Sequence, residues 1–140
     1  MHHLEQLPDI VISTEDHKRL QNIAEAATRT MPNVAEYLLE ELHRATICST
    51  AANCAPGIRM GSHVEFRDDK TGRVRSVQLV YPAEADPSVG RISVLTPIGA
   101  ALIGLCEGQS IEWQTRDGSW KTLTVLKVFG QPQTQGYLDV

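Results

Sequence analysis

The spacing of apolar residues changes once along this chain, from every third or fourth position to alternate positions, and that switch limits the fold more than any other feature. Leu20, Ile23, Ala24, Ala27 and Met31 recur at helical spacing, which predicts one apolar stripe on a helix from about Glu15 to Thr30. Ser13-Thr14-Glu15-Asp16 supplies a hydroxyl N-cap and first-turn carboxylates for its start, directly after a β-branched run, Asp9 to Ile12, read as a strand. Pro32 stops this helix. Asn33 can cap a second helix whose stripe is Val34 or Ala35, Leu38, Leu39, Leu42 and Ala45, with Glu36, Glu40, Glu41 and Arg44 left for solvent. Two amphipathic helices joined by about four residues pack antiparallel, each covering the other's stripe.

From Cys48 to Gly61 the periodicity disappears and Ser, Thr, Ala, Asn, Pro56 and Gly57 dominate, so residues 48–60 read as a linker between a helical lobe, 1–47, and a second lobe, 61–140. In the second lobe, His63 to Arg67, Val74 to Tyr81, Arg91 to Val94, Ser110 to Gln114 and Lys121 to Phe129 read as strands. The turns Asp68-Asp69-Lys70-Thr71-Gly72, Asp86-Pro87 and Arg116-Asp117-Gly118 separate them and favour antiparallel pairing. Thr96-Pro97 opens a short apolar helix through Ala100, Ala101, Leu102 and Ile103, and Gly104 closes it. The fold class is therefore α+β: a short N-terminal antiparallel helical hairpin, then an antiparallel β-sheet domain carrying one short helix.

Composition narrows the function. Apolar residues at 41% and charged residues at 21% suit a folded chain. No apolar run approaches the roughly 20 residues needed to cross a bilayer, and the polar opening His2, His3, Glu5, Gln6 lacks a signal peptide's apolar region, so no membrane partner and a cytoplasmic location are expected. Cys48, Cys54 and Cys106 are odd in number with no C-x-x-C pair, and are expected as free thiols. His17, His43 and His63 have no ligand spacing among themselves or with Cys54, so no metal site is expected. Net charge is −4, which on balance repels a phosphate backbone. Arg67, Lys70, Arg73 and Arg75 lie close together, but such turn-flanking charges are more often solvated surface, and no direct nucleic-acid partner is expected. No nucleophile motif and no glycine-rich phosphate loop occurs, so no catalytic residue, cofactor or small-molecule substrate is identified.

The stretches Gly61-Ser62-His63-Val64, Val80-Tyr81-Pro82-Ala83-Glu84-Ala85-Asp86-Pro87, Gly90-Arg91-Ile92-Ser93-Val94-Leu95-Thr96-Pro97-Ile98-Gly99-Ala100-Ala101-Leu102-Ile103-Gly104 and Glu107-Gly108-Gln109-Ser110 resemble, in order, the C-terminal domain of the GreA/GreB transcription elongation factors. The resemblance spans roughly Gly61 to Phe129. The opening strand and Glu40-Glu41-Leu42-His43-Arg44-Ala45 are similar to a branch of that family with a much shorter hairpin. The resemblance implies an FKBP-like C-terminal fold that grips RNA polymerase near its secondary channel, with the hairpin pointing toward the channel mouth. It also implies polymerase contact through the Asp86-Pro87 loop and the helix start Thr96, Pro97, Ile98. Without any partner, Asp and Pro favour turns and Pro97 suits the first turn of a helix.

In Gre factors a pair of acids at the coiled-coil tip helps hold a metal ion in the polymerase active site, where carboxylates suit a hard divalent cation and help activate water. The tip here is Thr30, Met31, Pro32 and Asn33, flanked by Arg29 and Val34, with no carboxylate; Glu36 already lies in the second helix. Met31 continues the first helix's stripe and is expected to cap the hairpin core. About 16 helical residues at about 1.5 Å each span only about 24 Å, well short of the family's hairpin. The expectation is occupancy of the Gre docking site, in competition with Gre factors, without stimulated transcript cleavage and without enzymatic activity. Two alternatives belong to other classes. An FKBP-like prolyl isomerase or peptide-binding module needs an apolar and aromatic pocket, and the second lobe supplies only Phe66, Tyr81, Trp113, Trp120 and Phe129 before the tail. A strand-helix-helix DNA-binding protein needs base-reading polar side chains on its strand, where this chain has Asp9 and aliphatics.

Overall fold

The computed structural model describes residues 10–48, 57–115 and 117–129; Asp9, Cys54 and Arg116 lie outside them. The elements run β1 (Val11–Ser13), α1 (Thr14–Ala26), α2 (Pro32–Arg44), β2 (Thr46–Cys48), β3 (His63–Asp68), β4 (Val74–Val80), β5 (Arg91–Ser93), α3 (Pro97–Leu102), β6 (Ser110–Gln114) and β7 (Trp120–Phe129). Two 3-10 turns, Pro82–Glu84 and Pro87–Val89, join β4 to β5.

Local chemistry explains both helix ends of the N-terminal pair. The Ser13 hydroxyl accepts the Asp16 amide at 3.2 Å, which satisfies one of the donors left open at the start of α1. The helix ends at Ala26, short of the expected Thr30. The Ala27 amide is shared between the Ile23 and Ala24 carbonyls, and the Thr28 hydroxyl donates to the Glu25 carbonyl at 2.9 Å, so the last turn tightens instead of propagating. Asn33 is not the cap of α2. Met31 occupies that position without a side-chain bond and Pro32 is the first helical residue, where its fixed φ and missing N–H cost nothing.

The sequence reading places no strand at residues 46–48, yet β2 pairs in parallel with β1, Val11 opposite Thr46 and Ser13 opposite Cys48. The main sheet has the order β5-β4-β3-β7-β6. Its β3–β4, β3–β7 and β6–β7 pairs are antiparallel. The β4–β5 pair is parallel, a correction to the all-antiparallel expectation. Residues 81–90 form two 3-10 turns rather than one tight turn, so the chain travels back along β4 before β5 begins. Gly90, at φ 81°, completes this return, and reciprocal backbone bonds between Asp86 and Arg91 at 2.9 and 3.1 Å pin it.

One hydrophobic cluster unites the elements: Leu20, Leu38 and Leu42 from α1 and α2, Val64, Leu79, Ile111 and Leu123 from the sheet, and Ala100, Ala101 and Leu102 from α3. Within the stretch expected to link the lobes, Ile58 and Met60 are buried, and Ile58 exchanges backbone bonds with Leu105 and Gly104 at 2.8 and 3.0 Å. Gly104 must be glycine on two counts. Its φ is 84°, and a Cβ there would lie 2.7 Å from the Ile10 Cβ, so the end of α3 and the entry to β1 touch backbone to side chain.

Three side chains depart from expectation. Glu41, read as solvated, is 3% exposed. It pairs with Arg44 at 2.8 Å one helical turn on, which offsets the cost of burying a carboxylate in the stripe. Met31, read as hairpin core, is 39% exposed, because the early end of α1 swings it out of register with the stripe. Cys48, read as a free thiol, is disulfide-bonded; an odd count forbids a complete framework but not one bridge. Cys106 is free, and burial followed by the neighbouring Glu107 pushes its thiol pKa up.

Among the described residues no helix is long and apolar enough to cross a membrane, and no group of His, Cys, Asp and Glu is arranged to hold a metal ion. The His17 ring lies 2.9 Å from the Leu42 carbonyl, and the His63 ring stacks on Phe129 with centroids 5.6 Å apart.

Candidate functional site

The start of α3 is held by a compact set of side-chain to backbone bonds. The Thr96 hydroxyl accepts the Gly99 amide at 3.1 Å and donates to the Ser93 carbonyl at 2.7 Å, while the Ser93 hydroxyl accepts the Leu95 amide at 2.9 Å. Gly99 completes this nest. A Cβ there would fall 2.1 Å from the Ser93 carbonyl oxygen, so only glycine lets the helix lie so close to the end of β5. The consequence is that Pro97 and Ile98 are held on a step, half-buried, with Ile98 packed against the edge of the core.

Opposite this step, β6 contributes Trp113 and the β6–β7 turn contributes Thr115 and Asp117, so that with Ile92, Thr96, Pro97 and Ile98 they line an open groove of about 450 Å³. Its walls are apolar and its rim is polar. The Thr115 hydroxyl donates to the Asp117 carboxylate, and the Ser119 amide adds a second bond at 3.0 Å. These contacts hold the Asp117 carboxyl down at about 2, the Thr115 hydroxyl contributing most. Asp117 is therefore a fixed negative charge at neutral pH.

Of the residues named from sequence, the structure gathers Thr96, Pro97 and Ile98 into this groove. Asp86 and Pro87 do not line it. They stand at the other end of β5, where the Asp86 carboxylate accepts the Ser88 amide at 3.2 Å and its hydroxyl at 2.6 Å, in a loop exposed from Pro82 to Val89. Thr30, Met31, Pro32 and Asn33 sit on a separate, exposed tip that carries no carboxylate. Sequence reasoning missed Ile92, Trp113, Thr115 and Asp117. Asp117 was visible only as turn chemistry in Asp117-Gly118, because the groove joins side chains far apart in the chain.

The helical pair touches the sheet domain through charge as well as apolar contact. The Tyr81 hydroxyl donates to the Asp16 carboxylate at 3.4 Å and the Arg19 guanidinium lies 4.3 Å above the Tyr81 ring. Burial raises the Asp16 pKa despite the Met60 backbone bond and the Arg59 charge that oppose it. Burial and the Asp16 charge push Tyr81 up to about 12.

Comparison with known proteins accounts for both regions. A family model described as transcription elongation factor, GreA/GreB, C-term matches residues 55–129, and one described as Rnk N-terminus matches residues 8–47. The chain is 37% identical over 129 residues to the regulator of nucleoside diphosphate kinase of Escherichia coli, covering 92% of this chain and 95% of that protein. It is 35% identical over 114 residues to transcription elongation factor GreA of Chloroflexus aggregans, covering 81% and 68% respectively. A solved GreA/GreB elongation factor structure from Nitrosomonas europaea matches with a TM-score of 0.67 and 34% identity, over 86% of this chain and 98% of that one.

Proposed function

The chain belongs to the GreA/GreB family, with an Rnk N-terminus ahead of the family's C-terminal domain, and from that premise we propose that it is a transcription regulator that docks on RNA polymerase near the secondary channel. In this reading residues 61–140 form the docking unit and residues 1–47 an arm directed at the channel mouth. Thr96, Pro97 and Ile98 in the groove, with Asp86 and Pro87 beyond β5, make the contact. The single observation that carries the docking surface is the groove itself: an apolar trough beside a rigid helix start is built to receive a partner's side chains without rearranging.

The arm argues for competition without cleavage. A hard divalent cation needs carboxylate oxygens, and residues 27–34 supply none. Thirteen residues in each of α1 and α2 reach about 20 Å at about 1.5 Å per residue, less than the expected 24 Å. The protein then occupies the Gre docking site and contributes no enzymatic activity of its own.

Purified polymerase, a labelled Gre factor and this protein as challenger test the reading. Displacement of the factor is expected, and failure to displace it at large excess ends the docking proposal. Stimulated transcript cleavage in the same reactions contradicts the assignment of the tip.

A further inference from the structure

Resting on that docking reading, we propose that the β6–β7 turn makes the groove selective for one kind of partner segment: an apolar side chain flanked by a lysine or arginine, the apolar group entering beside Ile98 and Trp113 and the cation pairing with Asp117.

The groove's polar atoms decide what it can take. The Thr96 hydroxyl gives its proton to the Ser93 carbonyl, and the Thr115 hydroxyl directs its single proton to Asp117 with the Ser119 carbonyl also in reach, so neither has a proton to donate to a ligand. What remains is an apolar floor from Ile92, Pro97, Ile98 and Trp113 and one charge at its edge. An apolar floor accepts any hydrophobic side chain; the charge supplies the discrimination, attracting a cation and repelling an acid at the same distance. Among the described residues no cation lines the groove to cancel Asp117.

The charge is also pre-positioned. Its Oδ1 accepts the Thr115 hydroxyl and the Ser119 amide inside the turn, so the carboxylate loses little rotamer freedom when a partner arrives. Asparagine at this position keeps the Oδ1 acceptor that the turn uses, while it removes the charge and exchanges the other oxygen for an amide NH2, which makes Asp117→Asn the mildest charge-removing variant at this exposed site.

The test measures binding of the full chain to purified RNA polymerase at about 0.1 M and about 1 M salt, between which the screening length falls from about 10 Å to about 3 Å. Asp117→Asn is expected to bind about three- to fivefold more weakly at low salt and equally at high salt, and Asp117→Lys to lose as much again at low salt. Wild-type protein that binds while Asp117→Asn matches it at low salt overturns the selectivity and leaves docking intact. A loss that persists undiminished at high salt also overturns it, since turn geometry rather than charge is then responsible. Wild-type protein that fails to bind polymerase removes the docking reading and this inference together.

Discussion

Two helices of this protein begin with the same dipeptide logic, α2 at Met31-Pro32 and α3 at Thr96-Pro97, and the chain treats them in opposite ways. At Met31 no side chain caps the helix and the surrounding residues 28–33 face solvent. At Thr96 one hydroxyl makes two bonds, a serine makes a third, and a glycine closes the gap to β5. Proline at the first helical position is thus compatible with both a loose tip and a rigid platform; what distinguishes them is how many backbone groups the neighbouring side chains satisfy. The difference matches the proposed division of labour, in which the α3 start is the part that must present a fixed surface.

The contrast between the two helix starts is most sensitive at Gly99. Gly99→Ala drives a methyl into the Ser93 carbonyl, and overpacking at a site that cannot relax costs about 3 kcal/mol or more, read as a lower urea midpoint with unchanged slope. Thr96→Ala removes the cap and the bond to Ser93 and is expected to cost about 1–2 kcal/mol by the same measurement. A smaller effect is expected at the junction of the helical pair with the sheet. The Asp16 pKa is raised above its ordinary 3.8, so the folded state favours the protonated form. The stability this group contributes is present below about pH 4 and is lost as pH rises through the raised value. Asp16→Asn should therefore show a shallower decline in unfolding free energy across that window than wild type, and an unchanged profile would mean that burial does not dominate at Asp16. Smallest of all, Met31→Ser offers α2 the cap it lacks and should change stability by only about 0.5 kcal/mol, in the stabilising direction, in thermal melts.

What the sequence disclosed follows the range of the interactions. The Thr96-Pro97 start of α3 was readable because caps are decided within a few residues, whereas the close expected at Gly104 falls earlier, at Leu102 with Ile103 as the cap, and the Gly104 amide turns to the Ile58 carbonyl instead. The β3, β4 and β7 strands were readable because buried positions recur at alternate residues within them. The parallel placement of β5 was not, since it depends on residues 81–90 folding into two successive 3-10 turns and on the Asp86 to Arg91 bridge. Burial of Glu41 was hidden because its polarity places it outside the apolar stripe until Arg44 is seen beside it. The groove was half legible: Thr96, Pro97 and Ile98 belong to one local signal, whereas Ile92, Trp113 and Asp117 reach it only through tertiary pairing.

The parallel pairing of β1 with β2 carries a consequence for the order in which the molecule assembles. Contacts within α1 and α2 are local and close quickly, but Val11 must wait for Thr46 and then for the Gly104 carbonyl, which its amide meets at 3.4 Å. Closing those longer loops costs chain entropy that only the finished core offsets. The first described strand to leave the ribosome is therefore among the last to be secured, and the helical pair becomes anchored at its base only once α3 has folded.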